Sequence, residues 1–166
     1  AHMNVYGVTG WKNTGKTTLT ERLIAEMVAR GLRVSSIKHA HHDTDIDHPG
    51  RDSYRHRQAG AGQVIVASPA RWALMGELRG APEPALGDLL AKLDPCDLVL
   101  VEGYKRAPHP KVEAHRAATG RPLLAVDNPT IRAVASDVAL EHPLPRFHLD
   151  DAAGIADFIL SDLGLR

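Results

Sequence analysis

The residues Gly10-Trp11-Lys12-Asn13-Thr14-Gly15-Lys16-Thr17 satisfy the pattern G-x-x-x-x-G-K-[ST], whose chemistry is the cradling of a triphosphate. Glycines in such a loop let backbone amides turn inward around phosphate oxygens, and a helix starting near Lys16 adds its positive end. Lys16 then reaches the outer phosphates and the Thr17 hydroxyl is suited to ligate magnesium. Lys12, Asn13, Thr14, Gly15 and Thr18 complete the expected nucleotide contacts. The plainer alternative is a glycine-rich strand-to-helix turn with no ligand.

Magnesium also calls for a carboxylate at the end of another strand. Asp97 and Glu102 frame the apolar run Leu98-Val99-Leu100-Val101, which puts them roughly 16 Å apart at strand rise. Only one of them can share the P-loop's edge of a parallel sheet. Glu102, at the carboxyl end, takes the metal-facing or water-facing role, and Asp97 is left as a strand-start residue. The bland reading of Glu102 is a solvated loop acid.

A second polar cluster follows the second strand, from Lys38-His39 through Asp43, Asp45 and Asp47 to Pro49-Gly50 and Arg57. Three alternating carboxylates would point one way if extended and approach a magnesium ion or order a water, which makes Asp45 a catalytic candidate. Five of the ten histidines fall between His39 and His56, so a transition metal is a further option, beside simple solvation. Arg51, Arg55 and Arg57 are able to brace an anionic ligand.

The elements that must position these residues are legible in outline. Asn4 to Thr9 reads as a strand, Lys16 to Arg30 as a helix with Leu19, Leu23, Ile24, Met27 and Val28 on one face, and Leu32 to Ile37 as a second strand. Asp52 to Ala59 reads as a short helix, Gln63 to Ala67 as a buried strand, Arg71 to Leu78 as a further strand and Pro84 to Leu93 as a helix. Asp97 to Val101 is the clearest core strand. Lys111 to His115, Leu123 to Val126 and Ile131 to Ala135 are strand-like, and Asp151 to Leu163 closes the chain as a helix. Strands alternating with helices predict an α/β, P-loop NTPase-like fold: a mainly parallel sheet with helices on both faces, and ligand loops at the strands' carboxyl ends.

The 166 residues suit a single domain, taken as 4–166, with Ala1-His2-Met3 reading as a tag scar and native start. Lys plus Arg and Asp plus Glu both number 20, so no whole-molecule basic field draws in nucleic acid or a membrane surface. The apolar runs are too short to span a bilayer. The single cysteine, Cys96, allows no intramolecular disulfide and agrees with a reducing cytoplasm.

Gly10 to Thr18, Lys38-His39 through Arg57 and Ala59-Gly60-Ala61, Asp97-Leu-Val-Leu-Val-Glu-Gly-Tyr-Lys105 and Pro110-Lys-Val-Glu113 together resemble the molybdopterin-guanine dinucleotide biosynthesis adaptor family, MobB. The resemblance covers nearly the whole chain. It implies a GTP- and Mg2+-binding, weakly GTP-hydrolysing homodimer in the cytoplasm. Such a protein assists a MobA-type molybdopterin guanylyltransferase in attaching GMP to molybdopterin carrying molybdenum. The Asn-Lys-x-Asp motif that reads guanine in many GTPases is absent. A carboxylate accepts guanine's adjacent N1 and N2 donors, and Asp127, leaving the Leu123 to Val126 run, is the first candidate. A turn-forming Asp-Asn-Pro is its alternative, and Asp137 the second choice. A P-loop small-molecule kinase using Asp45 or Asp47, and a metal-delivery GTPase using the His-rich loop, are the competing functions.

Overall fold

The computed structural model describes residues 3–40, 46 and 52–165. In chain order these form β1 (Val5–Thr9), α1 (Lys16–Ala29), β2 (Val34–Lys38), α2 (Asp52–Ala59), β3 (Gln63–Ala67), β4 (Trp72–Gly76), α3 (Leu86–Leu90), β5 (Leu98–Glu102), β6 (Lys111–His115), β7 (Ile131–Ser136), β8 (Arg146–His148) and α4 (Ala152–Asp162). Short 3-10 turns lie at Ala117–Thr119 and Leu124–Val126. The described residues of Ala1–His39 and Leu86–Arg166 form one compact unit and those of Ala40–Ala85 a second.

The first unit is built on a six-stranded sheet in the order β2-β5-β1-β6-β7-β8, with every pairing parallel. Period-two alternation sorts its side chains. Tyr6, Val8, Leu98, Leu100, Val112, Ala114, Ala133 and Ala135 join α1 and α4 in one core through Leu19, Leu23, Met27, Ile155 and Ile159. Val99 and Val101 join the other core, with Leu86 of α3. Full burial of one such side chain stabilises by roughly 1.5–3 kcal/mol, so these layers hold the carboxyl edge rigid. Helix α1 begins after Gly15 at φ 86 and ends at Arg30, where Gly31 takes φ 88. α4 starts on the Asp151 carboxylate, which accepts the Gly154 amide at 3.0 Å.

β6 departs from the apolar rule. Lys111 and Glu113 have no exposed surface and His115 only 7%. Each is partnered: Lys111 Nζ donates to the Ala107 carbonyl and, at 2.8 Å, to the His109 carbonyl and Thr130 Oγ1. Glu113 accepts the Leu124 and Ala125 amides at 2.7 and 2.9 Å, and His115 Nδ1 meets Ser136 Oγ at 2.8 Å. Nearby, both ring nitrogens of His109 are buried without a partner, and a Cβ at Gly7 would stand 2.5 Å from its Nε2.

The expected strand at Leu123 to Val126 is instead the 3-10 turn. β6 already has β1 and β7 on its two sides, and the Glu113 carboxylate takes the amides a ladder would have used. β8, only three residues long, carries no period-two signal of its own and was not anticipated.

In the second unit β3 and β4 form an antiparallel hairpin, with Ile65 opposite Leu74 and Ala67 opposite Trp72. Gln63 to Ala67 was expected to be buried, yet only Val64 is. Ile65, Trp72 and Leu74 share one face at 65%, 66% and 40% exposure, because a two-stranded ribbon covers only one of its sides. Arg57 does not stand free to brace a ligand. It pairs with Glu77 at 2.8 Å and lies over the Tyr54 ring. Arg79 closes the end of α2 by donating to the Arg57, Gly60 and Ala61 carbonyls.

Candidate functional site

The P-loop sits where the sheet's carboxyl edge meets α1. Gly10 at φ 152, Asn13 at φ 66 and Gly15 at φ 86 give the backbone the reversals that turn successive amides inward. At Gly10 space is also decisive, since a Cβ would lie 2.5 Å from the Ala114 carbonyl oxygen. Thr14 Oγ1 donates to the Trp11 carbonyl at 2.7 Å and fixes the turn from within. Lys16 Nζ donates to the Gly10 carbonyl at 2.9 Å, across the loop it closes. Burial lowers the Lys16 pKa, Glu102 opposes that shift, and Lys105 and Lys38 add to it.

Glu102 is the last residue of β5 and lies beside β1 in register with Val8. Its side chain is 7% exposed, Oε2 stands 3.6 Å from Lys38 Nζ, and Oε1 is buried with no partner. A buried carboxylate oxygen without a donor is costly unless a ligand completes it. Thr17, Lys38 and Glu102 line the same cavity of about 230 Å³. That donor set, a hydroxyl and a carboxylate oxygen, fits a hard divalent cation such as Mg2+. Asp97 lies at the opposite end of β5, accepting the Arg33 amide at 2.7 Å, as a strand-start residue should.

The chain leaving β2 is held to the chain leaving β5. The His39 amide donates to the Glu102 carbonyl at 2.9 Å and the His39 ring stacks on Tyr104 with centroids 4.3 Å apart. Gly103, at φ 94, meets His39 so closely that a Cβ would come within 2.9 Å of its Cβ. Asp43, Asp45, Asp47 and Arg51 lie outside the described residues. Among the described residues no group of three or more His, Cys, Asp or Glu is placed to hold a metal.

On the other side of β1, the indole of Trp11 donates to the Pro122 carbonyl at 2.9 Å. Lys105 Nζ and the Arg121 guanidinium each lie 4.9 Å from its ring centroid. Sequence reasoning names Lys105 only within the Asp97 to Lys105 stretch and Arg121 not at all, and places neither beside Trp11. The only available signal was a Trp inside a P-loop, which needs charged or apolar neighbours.

The structure removes the reason for placing Asp127 at the ligand edge. It follows a 3-10 turn and precedes β7, whereas Asp137 directly follows the carboxyl end of β7. Asp137 Oδ1 accepts the Ala117 amide at 3.0 Å, tying the loop after β6 to the loop after β7. The adjoining Arg116 guanidinium lies against Gly15, 3.0 Å from where a Cβ would stand. Glu113, which positions the turn before Asp127, has its pKa raised by burial against the pull of those two amides.

A parallel sheet whose first strand runs through G-x-x-x-x-G-K-T into a helix, with a buried acid ending the neighbouring strand, defines a P-loop α/β protein. Comparison with known proteins narrows the class. The family described as "Molybdopterin guanine dinucleotide synthesis protein B" (MobB) matches residues 5–137. The molybdopterin-guanine dinucleotide biosynthesis adapter protein of Escherichia coli K12 is 46% identical over 153 residues, 90% of this chain and 87% of that one. Its Haemophilus influenzae counterpart is 44% identical over 156 residues, covering 92% and 85%. A crystal structure of a MobB homolog from Bacillus stearothermophilus, 32% identical, superposes with a TM-score of 0.72 over 99% of this chain and 100% of that chain. This chain belongs to the MobB family.

Proposed function

We propose that the chain binds GTP with Mg2+ at the P-loop and acts as an adapter in molybdopterin-guanine dinucleotide biosynthesis. In that role it assists a guanylyltransferase of MobA type that joins GMP to molybdopterin. The family and its relatives' names support the pathway. The observation that carries the nucleotide reading is the unpartnered, buried Oε1 of Glu102, a residue that lines one cavity with Thr17 of the P-loop. Thr17 and Glu102 would hold the metal, directly or through its water, and the ion would supply charge neutralisation at the outer phosphates. Lys16 would leave the Gly10 carbonyl for those phosphates. Asp137, at the end of β7, is the residue we assign to the N1 and N2 donors of guanine in place of Asp127.

Hydrolysis is expected to be slow, because no described side chain holds a water-ordering position with the clarity of the metal pair. A second copy of the chain covers the apolar stripe of Ile65, Trp72 and Leu74 in this reading, forming the homodimer.

Calorimetry of GTP and ATP in the presence of magnesium tests the assignment. GTP is expected to bind at least tenfold more tightly, and Lys16→Ala to abolish binding while the thermal transition is kept. Equal affinity for ATP would remove guanine recognition, and unchanged affinity in Lys16→Ala would remove the site itself. Transfer of the γ-phosphate to an organic acceptor would replace the adapter with a kinase.

A further inference from the structure

Beside the P-loop, and lined by neither Lys16 nor Thr17, lies a second cavity of about 420 Å³ walled by Trp11, Lys12, Asn13, Ala118, Thr119 and Arg121. Its walls hold no acid. Lys12 and Arg121 line it, and Lys105 shares the Trp11 ring with Arg121. Among the described residues no carboxylate lies within ion-pair distance of any of these three cations. The Trp11 ring is anchored to the Pro122 carbonyl, so it holds the two cations in place and lowers the ordering cost of a ligand that uses them.

We propose that this cavity is a binding site for the phosphate monoester group of a second ligand, held by Arg121 over Trp11 with Lys12 on the P-loop side, while Lys105, which shares the ring without lining the cavity, adds to the positive field. Three cations without an acid match a dianion better than a carboxylate. The planar fork of Arg121 suits paired phosphate oxygens. A walled cavity of this size admits a single phosphate-bearing small molecule, and a formally neutral chain offers no extended field for a polyanion. Lys12 and Asn13 belong to both the P-loop and the cavity wall, so the second phosphate is brought beside the nucleotide's own. The inference rests on the nucleotide reading above for that adjacency, though not for the cavity itself.

The test uses the full chain saturated with magnesium and GDP, so that the P-loop is filled. Glycerol phosphate is titrated in, with sodium chloride at matched ionic strength as control, while the two indole N–H signals are followed by NMR. The chain has two tryptophans, so Trp72 serves as an internal reference. The Trp11 signal is expected to move saturably and the Trp72 signal to stay. The Arg121→Ala variant should lose at least tenfold in glycerol phosphate affinity while holding GDP within twofold. An unmoved Trp11 signal, or a variant that titrates like the parent, would overturn the proposal. So would glycerol phosphate that binds only by displacing GDP. If the chain takes up no guanine nucleotide, the nucleotide reading fails by itself, and the titration is repeated on the nucleotide-free chain. Loss of the Trp11 shift in Arg121→Ala but not in Lys16→Ala then supports the cavity, and the reverse pattern overturns it.

Discussion

β5 and β6 flank β1 on either side, each five residues long and buried along its whole length, yet they achieve burial by opposite means. β5 buries Leu98, Val99, Leu100 and Val101 and leaves one carboxylate oxygen unsatisfied, that of Glu102 at the ligand edge. β6 buries Lys111, Glu113 and His115 and satisfies each with a backbone or hydroxyl partner. The difference separates polar groups whose partners the fold supplies from one that the fold leaves without a partner. A buried charge with every partner in place is architecture, and one with a vacant lone pair beside a P-loop marks a candidate site.

The comparison can be broken most forcefully on β5. Leu100→Ala removes packing from the core that β5 shares with α1, and urea unfolding should show a loss of about 2–5 kcal/mol. A smaller loss would mean that apolar burial is not what holds this strand. Next in size is a pH effect beside β6. Burial, with Lys111 adding to it, depresses the His109 pKa to about 4 from 6.5, so the unfolded chain takes up a proton that the folded chain refuses. Stability should therefore be intact above pH 6.5 and fall as pH drops toward about 4, by up to ~3 kcal/mol, and His109→Leu should flatten that slope. Parallel acid-unfolding curves for the two proteins would contradict the buried, unpartnered imidazole.

Glu113→Gln sets an amide donor against the Leu124 or Ala125 amide and is expected to cost about 1–3 kcal/mol, with faster hydrogen exchange at those two residues. The smallest stability change belongs to Glu102→Gln, within about 1 kcal/mol, since one oxygen has no partner and the other faces an exposed lysine. Its signature should appear instead as a fall of at least tenfold in magnesium-dependent nucleotide affinity. A large stability loss without that fall would move Glu102 to the architectural side.

The parts of this arrangement legible in the sequence are those fixed by local rules. The P-loop pattern placed a turn between strand and helix, and the run before Glu102 located a fully buried strand of the sheet and the acid that ends it. Tertiary competition hid the rest. Leu123 to Val126 has strand-like residues, but both sides of β6 are taken, and Glu113 converts the segment to a turn. With that strand goes the ground on which Asp127 was assigned to the carboxyl edge. Gln63 to Ala67 reads as buried because apolar content does not reveal how many layers a hairpin receives. The cations around Trp11 come from residues 94 and 110 positions further along the chain, a convergence no local pattern encodes.

Gly7 and His109 carry a consequence for how this family can vary. The imidazole, together with Lys111 Cγ at 2.8 Å, occupies the space that a side chain at position 7 would need, and position 7 is not held to glycine by a positive φ. The two positions therefore share one volume. Among relatives a larger residue at 7 should accompany a smaller one at 109, and Gly7→Ala, damaging alone, should be rescued in part by His109→Ala, the remainder being the contact with Lys111 Cγ. Such covariation would make the pair readable from an alignment even though neither residue lines the candidate site.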